Sequence, residues 1–327
     1  MSMLVLILRY LRFQKLKFNS GVRFISGLKT GVFATPAPRL YNRGCIDYYI
    51  LKEWEARMTR CDKCNARSVI FQRYSGMRLC RSHFDEDVHR KVREALRETG
   101  IFGKGAKLAI GLDGGKSSSA MLYILKNLFS RRRDIKMVAV LVDEGIFGYR
   151  SEMLANARSL AERLEIPHIT KSFKDAYKAT TDEIAAKNSS GPPCTFCLDM
   201  KSALLNRSSL ELKADVLVTG DTLDREAQTI MQSYLRGEVD RIFTLQQQYR
   251  FQGMVPVIKP LRRVPEREVA LYAVTHDLSP SDSCPCPYIG DPMRQEVKKS
   301  LEDFEGKHPG TKYSLLRSME RLVKLKP

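Results

Sequence analysis

From residue 107 onward, short apolar runs alternate with stretches whose apolar residues recur every three or four positions. KLAIGLD (107–113), KMVAVLVDEG (136–145), HITKSF (168–173) and DVLVTGD (215–221) read as strands. Between them, Lys116–Phe129 carries Met121, Leu122, Leu125 and Leu128 on one face. Ser151–Leu164 likewise carries Met153, Leu154, Ala157, Leu160, Ala161 and Leu164. That periodicity predicts two amphipathic helices. Near-continuous apolar strands need cover on both faces, so the alternation predicts an α/β fold, a doubly wound parallel sheet. Ligands of such sheets bind outside the carboxyl ends of the strands. Gly114–Lys116, Asp143–Gly145 and Gly220–Asp224 fall at three of those ends and are expected to converge on one site.

The first strand end reads LAIGLDGGKSSSAML (108–122). A strand feeds a helix N-terminus through two glycines, a lysine and three serines. This is the layout of a phosphate-binding loop, whose backbone N–H groups face an anion. The presence of Asp113 at its mouth is unusual for that purpose.

Upstream, CDKCNARSVIFQRYSGMRLCRSHF (61–84) spaces Cys61 and Cys64 as C-x-x-C, and Cys80 and His83 as C-x-x-H, around a 15-residue insert. Three thiolates and an imidazole suit tetrahedral zinc in a closed, structural site, with the insert forming two short strands around a turn. A charged helix from Phe84 to about Glu98 then links this knuckle to the core. Residues 1–57 have a different character: their first acidic residue is Asp47, and eight Lys or Arg precede it. They read as a basic extension, either a targeting segment or the product of a mis-set start upstream of Met58. The expected organisation is therefore 1–57 extension, 58–100 zinc knuckle and linker helix, 101–280 catalytic domain, and 281–327 C-terminal helices.

Charge narrows the function. The 327 residues carry a net +18, and about +11 remains without residues 1–57. A chain this basic points to a polyanionic partner, with nucleic acid first. No apolar run approaches about 18 residues, so no membrane span is expected. Eight cysteines, with C-x-x-C recurring at Cys194 and Cys197, suggest metal or redox chemistry in a reducing compartment. Arg131–Arg133 reads as a solvated helix end. Pro265, Glu266 and Glu268 read as ordinary helix-start chemistry.

Taken in order, the knuckle, DGGKSS, VDEGIFGYR, CTFC, TGDTLDREAQT, KPLRRVPEREVALYA, CPY and HPGTKY resemble the tRNA 2-thiouridine synthetases of the PP-loop ATPase superfamily. The resemblance runs from about Cys61 to the C-terminus. It implies a PP-loop ATPase fold with a phosphate loop on Asp113–Ser118, comprising Gly114, Gly115, Lys116, Ser117 and Ser118. Asp143 and Gly220 would complete the nucleotide site. It further implies a 4Fe–4S cluster on Cys194, Cys197 and Cys286, a catalytic Lys201 and a catalytic Asp224. In that family ATP with magnesium adenylates a tRNA uridine, and sulfur from a ubiquitin-like carrier then displaces AMP by way of the cluster. A cytoplasmic homodimer is implied as well. Cys194 and Cys197, placed before a helix starting near Thr195, would have their thiolates favoured by helix N–H groups. Cys284 is an alternative third ligand, and a redox pair is an alternative reading of CTFC.

Departures from the family pattern bear on nucleotide use. The loop's usual serine and aspartate have exchanged places, giving Asp113 and Ser117, and GHNLDDE appears as GDTLDRE with Asp221, Thr222 and Arg225. A carboxylate about 4 Å from a phosphate costs roughly 4 kcal/mol at an effective dielectric of about 20. That is on the order of three decades in affinity. Arg225 pairing with Asp113, or Asp113 taking the magnesium, would offset it. Two competing readings follow: a catalytically altered relative that binds tRNA or a partner subunit without ATP turnover, and a metal-binding module with no nucleotide role.

Overall fold

The computed structural model describes residues 60–103, 105–187, 192–238, 240, 253–278, 286–288 and 291–325. The expectations for residues 1–57 and for Cys284 lie outside them.

The knuckle is built as its sequence predicts. Strands β1 (Ile70–Gln72) and β2 (Met77–Leu79) pair antiparallel, Ile70 opposite Leu79. Gly76 supplies the left-handed residue of the turn between them, φ 70°. Helix α1 (Arg81–Arg97) follows directly and buries Phe84, Val88, Val92 and Leu96.

Five strands form the core sheet: β3 (Ala106–Gly111), β4 (Ile135–Asp143), β5 (His168–Ser172), β6 (Val216–Val218) and β7 (Val257–Ile258). All pair in parallel, in the order β5-β4-β3-β6-β7. Helices α2 (Lys116–Leu128) and α3 (Arg150–Arg163) match the expected amphipathic segments to within a residue. After β5 come α4 (Phe173–Tyr177), α5 (Thr181–Lys187) and the long α6 (Pro193–Glu211), and after β6 comes α7 (Leu223–Leu235). The chain closes with α8 (Glu266–Thr275), α9 (Pro292–Lys307) and α10 (Thr311–Leu325).

Alternation along the central strands divides the core. Leu108, Ile110, Ala139 and Leu141 pack with α2 residues such as Met121 and Leu125 on one face. Ala109, Val140 and Val142 pack with Leu204 and Leu205 of α6 on the other. Both faces are thus covered, as a parallel sheet requires. The fifth strand was not expected: Val257 and Ile258, a two-residue strand flanked by Pro256 and Pro260, are too few to show a period.

Strand order reverses between β3 and β6, and this switch point positions the site. The chain leaves the two strands toward opposite sides, opening a crevice at their carboxyl ends. There Gly220 meets the N-terminus of α2 so closely that a Cβ would lie 3.1 Å from Ser118 N. Gly114, at φ 79°, would bring a Cβ to 2.0 Å from Met153 O, so only glycine fits.

Two sequence readings need correction. Glu268 is more than helix-start chemistry. It is 2% exposed and accepts from Lys91 (2.7 Å), Tyr74 (2.6 Å) and Gln72 (3.1 Å). Asp87 joins Lys91 at 2.8 Å, so hairpin, α1 and α8 are tied by one buried polar network. Second, α6 begins at Pro193, so Cys194 and Cys197 lie within its first two turns rather than before it.

Candidate functional site

A cavity of about 540 Å³ occupies the switch-point crevice. Asp113 lines it from the loop after β3, Ser117 and Ser118 from the first turn of α2, and Gly220 and Asp221 from the loop after β6. The first turns of α6 add Cys194, Cys197 and Lys201. Cys286 and Tyr288 enter from the segment before α9, which itself contributes Arg294 and Lys298. Four motifs far apart in sequence therefore share one chamber.

Asp113 takes a place at the helix N-terminus that sequence reasoning did not foresee. Its Oδ1 accepts from Gly115 N at 3.0 Å and from Ser118 Oγ at 2.5 Å, and Ser118 Oγ lies 3.2 Å from Asp113 N. The carboxylate thus engages donors of the kind a phosphate recruits at a helix start. Its other oxygen is 3.8 Å from Lys201 Nζ.

Lys201 also meets Glu144, Nζ to Oε1 at 3.0 Å. Glu144 is 3% exposed and was missed in the sequence, where Asp143 was favoured. Asp143 turns to Gly145 N (2.9 Å) and shapes the turn instead. The missed signal was strand parity: Val140, Val142 and Glu144 all line the cavity, two residues apart.

The remaining departures neutralise one another locally. Arg225 Nε is 3.4 Å from Asp221 Oδ1, one helical turn away, so the incoming cation and the incoming acid form a pair. Burial works against ionisation of Asp221, but Lys259, Arg225 and the Thr219 hydroxyl (2.8 Å) together hold its carboxyl below the usual range. Arg294 is pushed down by burial and by Arg225 beside it.

Asp224 does not line the cavity, nor do Gly114, Gly115, Lys116 and Asp143. It is 9% exposed, accepts from Glu266 N at 2.6 Å at the start of α8, and pairs with Lys312 of the HPGTKY segment. The two family motifs meet here as a brace between α7, α8 and α10.

The cysteines fall into two kinds of site. In the knuckle, Cys61 Sγ and Cys80 Sγ are each 3.4 Å from His83 Nδ1, and Cys64 Sγ is 3.7 Å from Cys80 Sγ. A tetrahedral metal with bonds of about 2.3 Å to sulfur has ligand–ligand edges of about 3.8 Å. The geometry fits one closed four-coordinate ion, and all four donors lie within 4.8 Å of one another. Burial opposes ionisation of Cys61, yet hydrogen bonds from Cys80 and Lys63 backbone and from His83 bring its thiol down to about 6.

Cys194, Cys197 and Cys286 share the cavity without closing to that spacing; among the described residues only the knuckle does. Wider separation suits a cubane, whose irons sit at separate corners, and three thiolates leave its fourth iron open. The expected helix-dipole benefit to the thiolates is outweighed at Cys197, where burial pushes the thiol up to about 11. Such a thiol needs a metal's positive charge to ionise at neutral pH.

A nucleotide-type loop at the switch point of a doubly wound sheet, facing three thiols, defines a PP-loop protein with a thiol-lined site. The PP-loop domain model matches residues 84–282, and the N-terminal LIM domain model of the 2-thiouridine synthetase TtuA matches 60–85. The tRNA 2-thiolation protein NcsA of Haloferax volcanii is 35% identical over 280 residues, covering 81% of this chain and 87% of that protein. A probable sulfurtransferase of Methanocaldococcus jannaschii is 34% identical over 80% of this chain and 77% of its own length. Among solved structures, the U34-tRNA thiolase NcsA from Methanococcus maripaludis with its [4Fe-4S] cluster superposes with a TM-score of 0.75. It is 36% identical and covers 83% of this chain and 89% of that one. The chain belongs to the tRNA 2-thiolation family of PP-loop proteins. No helix among the described residues is long and apolar enough to cross a membrane.

Proposed function

We propose that the protein thiolates a uridine of tRNA at C2, in an ATP-dependent adenylation followed by sulfur transfer. The observation that carries this reading is the convergence of the phosphate loop, Lys201 and Cys194, Cys197 and Cys286 on one cavity. In the first step the uridine O2 attacks the α-phosphorus of ATP, and pyrophosphate leaves. Ser117, Ser118 and the N-terminus of α2 face the departing phosphates, and Lys201 offsets the charge that grows on them. Glu144 fixes the orientation of that ammonium through the 3.0 Å ion pair. In the second step a sulfur nucleophile attacks C2 and AMP departs.

When bound, a four-iron cluster on the three thiolates supplies an open iron for a sulfur ligand. Cys194 and Cys197, three residues apart, project from one face of the same helix, and Cys286 joins them in the cavity from the segment before α9. Zinc is the metal the knuckle's donors fit best, magnesium accompanies the nucleotide, and both assignments rest on ligand chemistry. Arg294 and Lys298 on the cavity wall suit the tRNA backbone. A ubiquitin-like sulfur carrier, a homodimeric state and a cytoplasmic location follow from the family resemblance. Asp224 is assigned a positioning role through Lys312 and α8.

Anaerobic incubation of the cluster-reconstituted protein with tRNA, ATP, magnesium and sulfide tests the reading. Nuclease digestion and mass spectrometry should reveal 2-thiouridine. Tight tRNA binding with no 2-thiouridine would instead support a catalytically altered relative.

A further inference from the structure

Beside the cavity, the loop after β4 runs Glu144-Gly145-Ile146-Phe147-Gly148-Tyr149. Ile146 is 5% exposed and turns inward, whereas the next side chain, Phe147, is 94% exposed, the most exposed of the large apolar residues among those described. A single exposed phenyl group is ordinary on a protein surface. This one is held in an unusual way.

The loop is pinned at several points. Gly145 and Gly148 both adopt left-handed backbone, φ 64° and 71°, and bracket the tip on either side. Phe147 N donates to Asp182 Oδ2 at 2.8 Å, and the other oxygen of Asp182 accepts from Tyr288 OH at 2.7 Å. Thr181 N donates to Glu144 O at 2.9 Å. One carboxylate on α5 therefore ties the backbone of Phe147 to the segment of Cys286. Ile146 and Tyr149, on either side of the tip, line the cavity, as does Tyr288. With its backbone fixed at the edge of the chamber, the Phe147 segment meets a partner while losing only side-chain freedom.

Surrounding charge selects the partner. Arg225 is paired with Asp221, but Arg294 and Lys298 of α9 stand on the cavity wall, and the chain as a whole is +18. An aromatic platform near basic side chains, on a strongly basic chain, is an arrangement that receives unpaired nucleic-acid bases, the ring stacking on a base while the cations meet phosphates. We propose that Phe147 is a stacking platform for an unpaired base next to the target uridine, holding the single-stranded segment while the uridine enters the cavity. This inference rests on the tRNA-thiolation reading and names a positioning residue within it. Tyr288 and Asp182 act through Phe147 by fixing its backbone.

The test uses the full, cluster-reconstituted chain and two RNA probes: a hairpin with a seven-nucleotide uridine-containing loop, and a fully paired duplex of the same length. Fluorescence anisotropy gives both affinities. Phe147→Ala should weaken hairpin binding about 5- to 100-fold, the range expected for one lost base stack. Duplex binding should stay unchanged, and Phe147→Trp should restore the hairpin affinity. Hairpin binding by wild type that Phe147→Ala matches would overturn the platform while leaving the thiolation reading intact. Retained RNA affinity with lost binding of a ubiquitin-fold protein ending in a thiocarboxylate would assign Phe147 to a protein partner, and also overturn the proposal. Binding of the hairpin by neither wild type nor variant would sink the RNA reading itself, and the inference with it.

Discussion

Lys201 and Glu144 form an ion pair of 3.0 Å that joins the cysteine-bearing helix to the end of a core strand. Glu144 is almost fully buried, so the pair is shielded from solvent on the carboxylate side and fixes where the ammonium points. Lys201→Ala should lower tRNA-dependent pyrophosphate release by at least about 100-fold, in the range of lost electrostatic stabilisation of a transition state. Glu144→Gln should lower it less, by misplacing rather than removing the cation. Single-turnover kinetics with labelled ATP would distinguish these losses from weakened binding.

The exchange of Asp113 and Ser117 is testable by reversal. Asp113→Ser with Ser117→Asp should tighten ATP–magnesium binding by up to about three decades, following the Coulomb estimate for a carboxylate beside a phosphate. Calorimetric titration reads the change directly. An unchanged or weaker affinity would show that Lys201, 3.8 Å from Asp113, already compensates the charge.

Metal content should divide cleanly between the two cysteine sets. Anaerobically purified protein should be brown, with about four irons and one zinc per chain. Cys194→Ser, Cys197→Ser or Cys286→Ser should lose iron and colour but keep zinc; Cys64→Ser should do the reverse. Loss of both metals from every variant would mean that the sites are not independent.

The buried network at Lys91 makes a stability prediction with a defined pH dependence. Lys91→Met leaves the buried Glu268 without its cation and Asp87 with Arg90 alone, and should cost about 3–5 kcal/mol, read by chemical denaturation. Burial raises the Asp87 carboxyl, but Lys91, Gln72 and Arg90 outweigh it and hold it below its ordinary value of 3.8. Its contribution is therefore complete above that value and is lost as the pH falls through the lower folded one. Wild-type protein should lose stability more steeply than Lys91→Met below about pH 4.

Asp224 and Lys312 should behave as one unit. If the brace is their role, Asp224→Asn and Lys312→Met will each lower the melting temperature, and the double variant will be no worse than the poorer single one. Additive thermal losses would argue against a shared contact.

Much of this architecture was legible from periodicity alone. Four of the five core strands and the first two core helices follow from apolar spacing, and the knuckle follows from two half-sites at metal-ligand spacing. What escaped was set by tertiary partners. Strand β7 is too short to carry a pattern, and Glu268 resembles any helix-start acid until Lys91 and Tyr74 are placed against it. Between Asp143 and Glu144 the residue facing the cavity was decided by side-chain parity, information that the sequence held and motif matching ignored. Asp224 carries the opposite lesson, since its motif matched while its side chain faces Lys312 away from the cavity wall.

The contact between Asp113 and the start of α2 has a consequence for any anion that reaches this loop. The backbone N–H of Gly115 and the hydroxyl of Ser118 already serve a carboxylate tethered two and five residues away. A tethered group competes at high effective concentration and is never diluted. Phosphate arrival is thus an exchange of one anion for another, and the measured dissociation constant contains the equilibrium of the internal contact as well as that of the ligand.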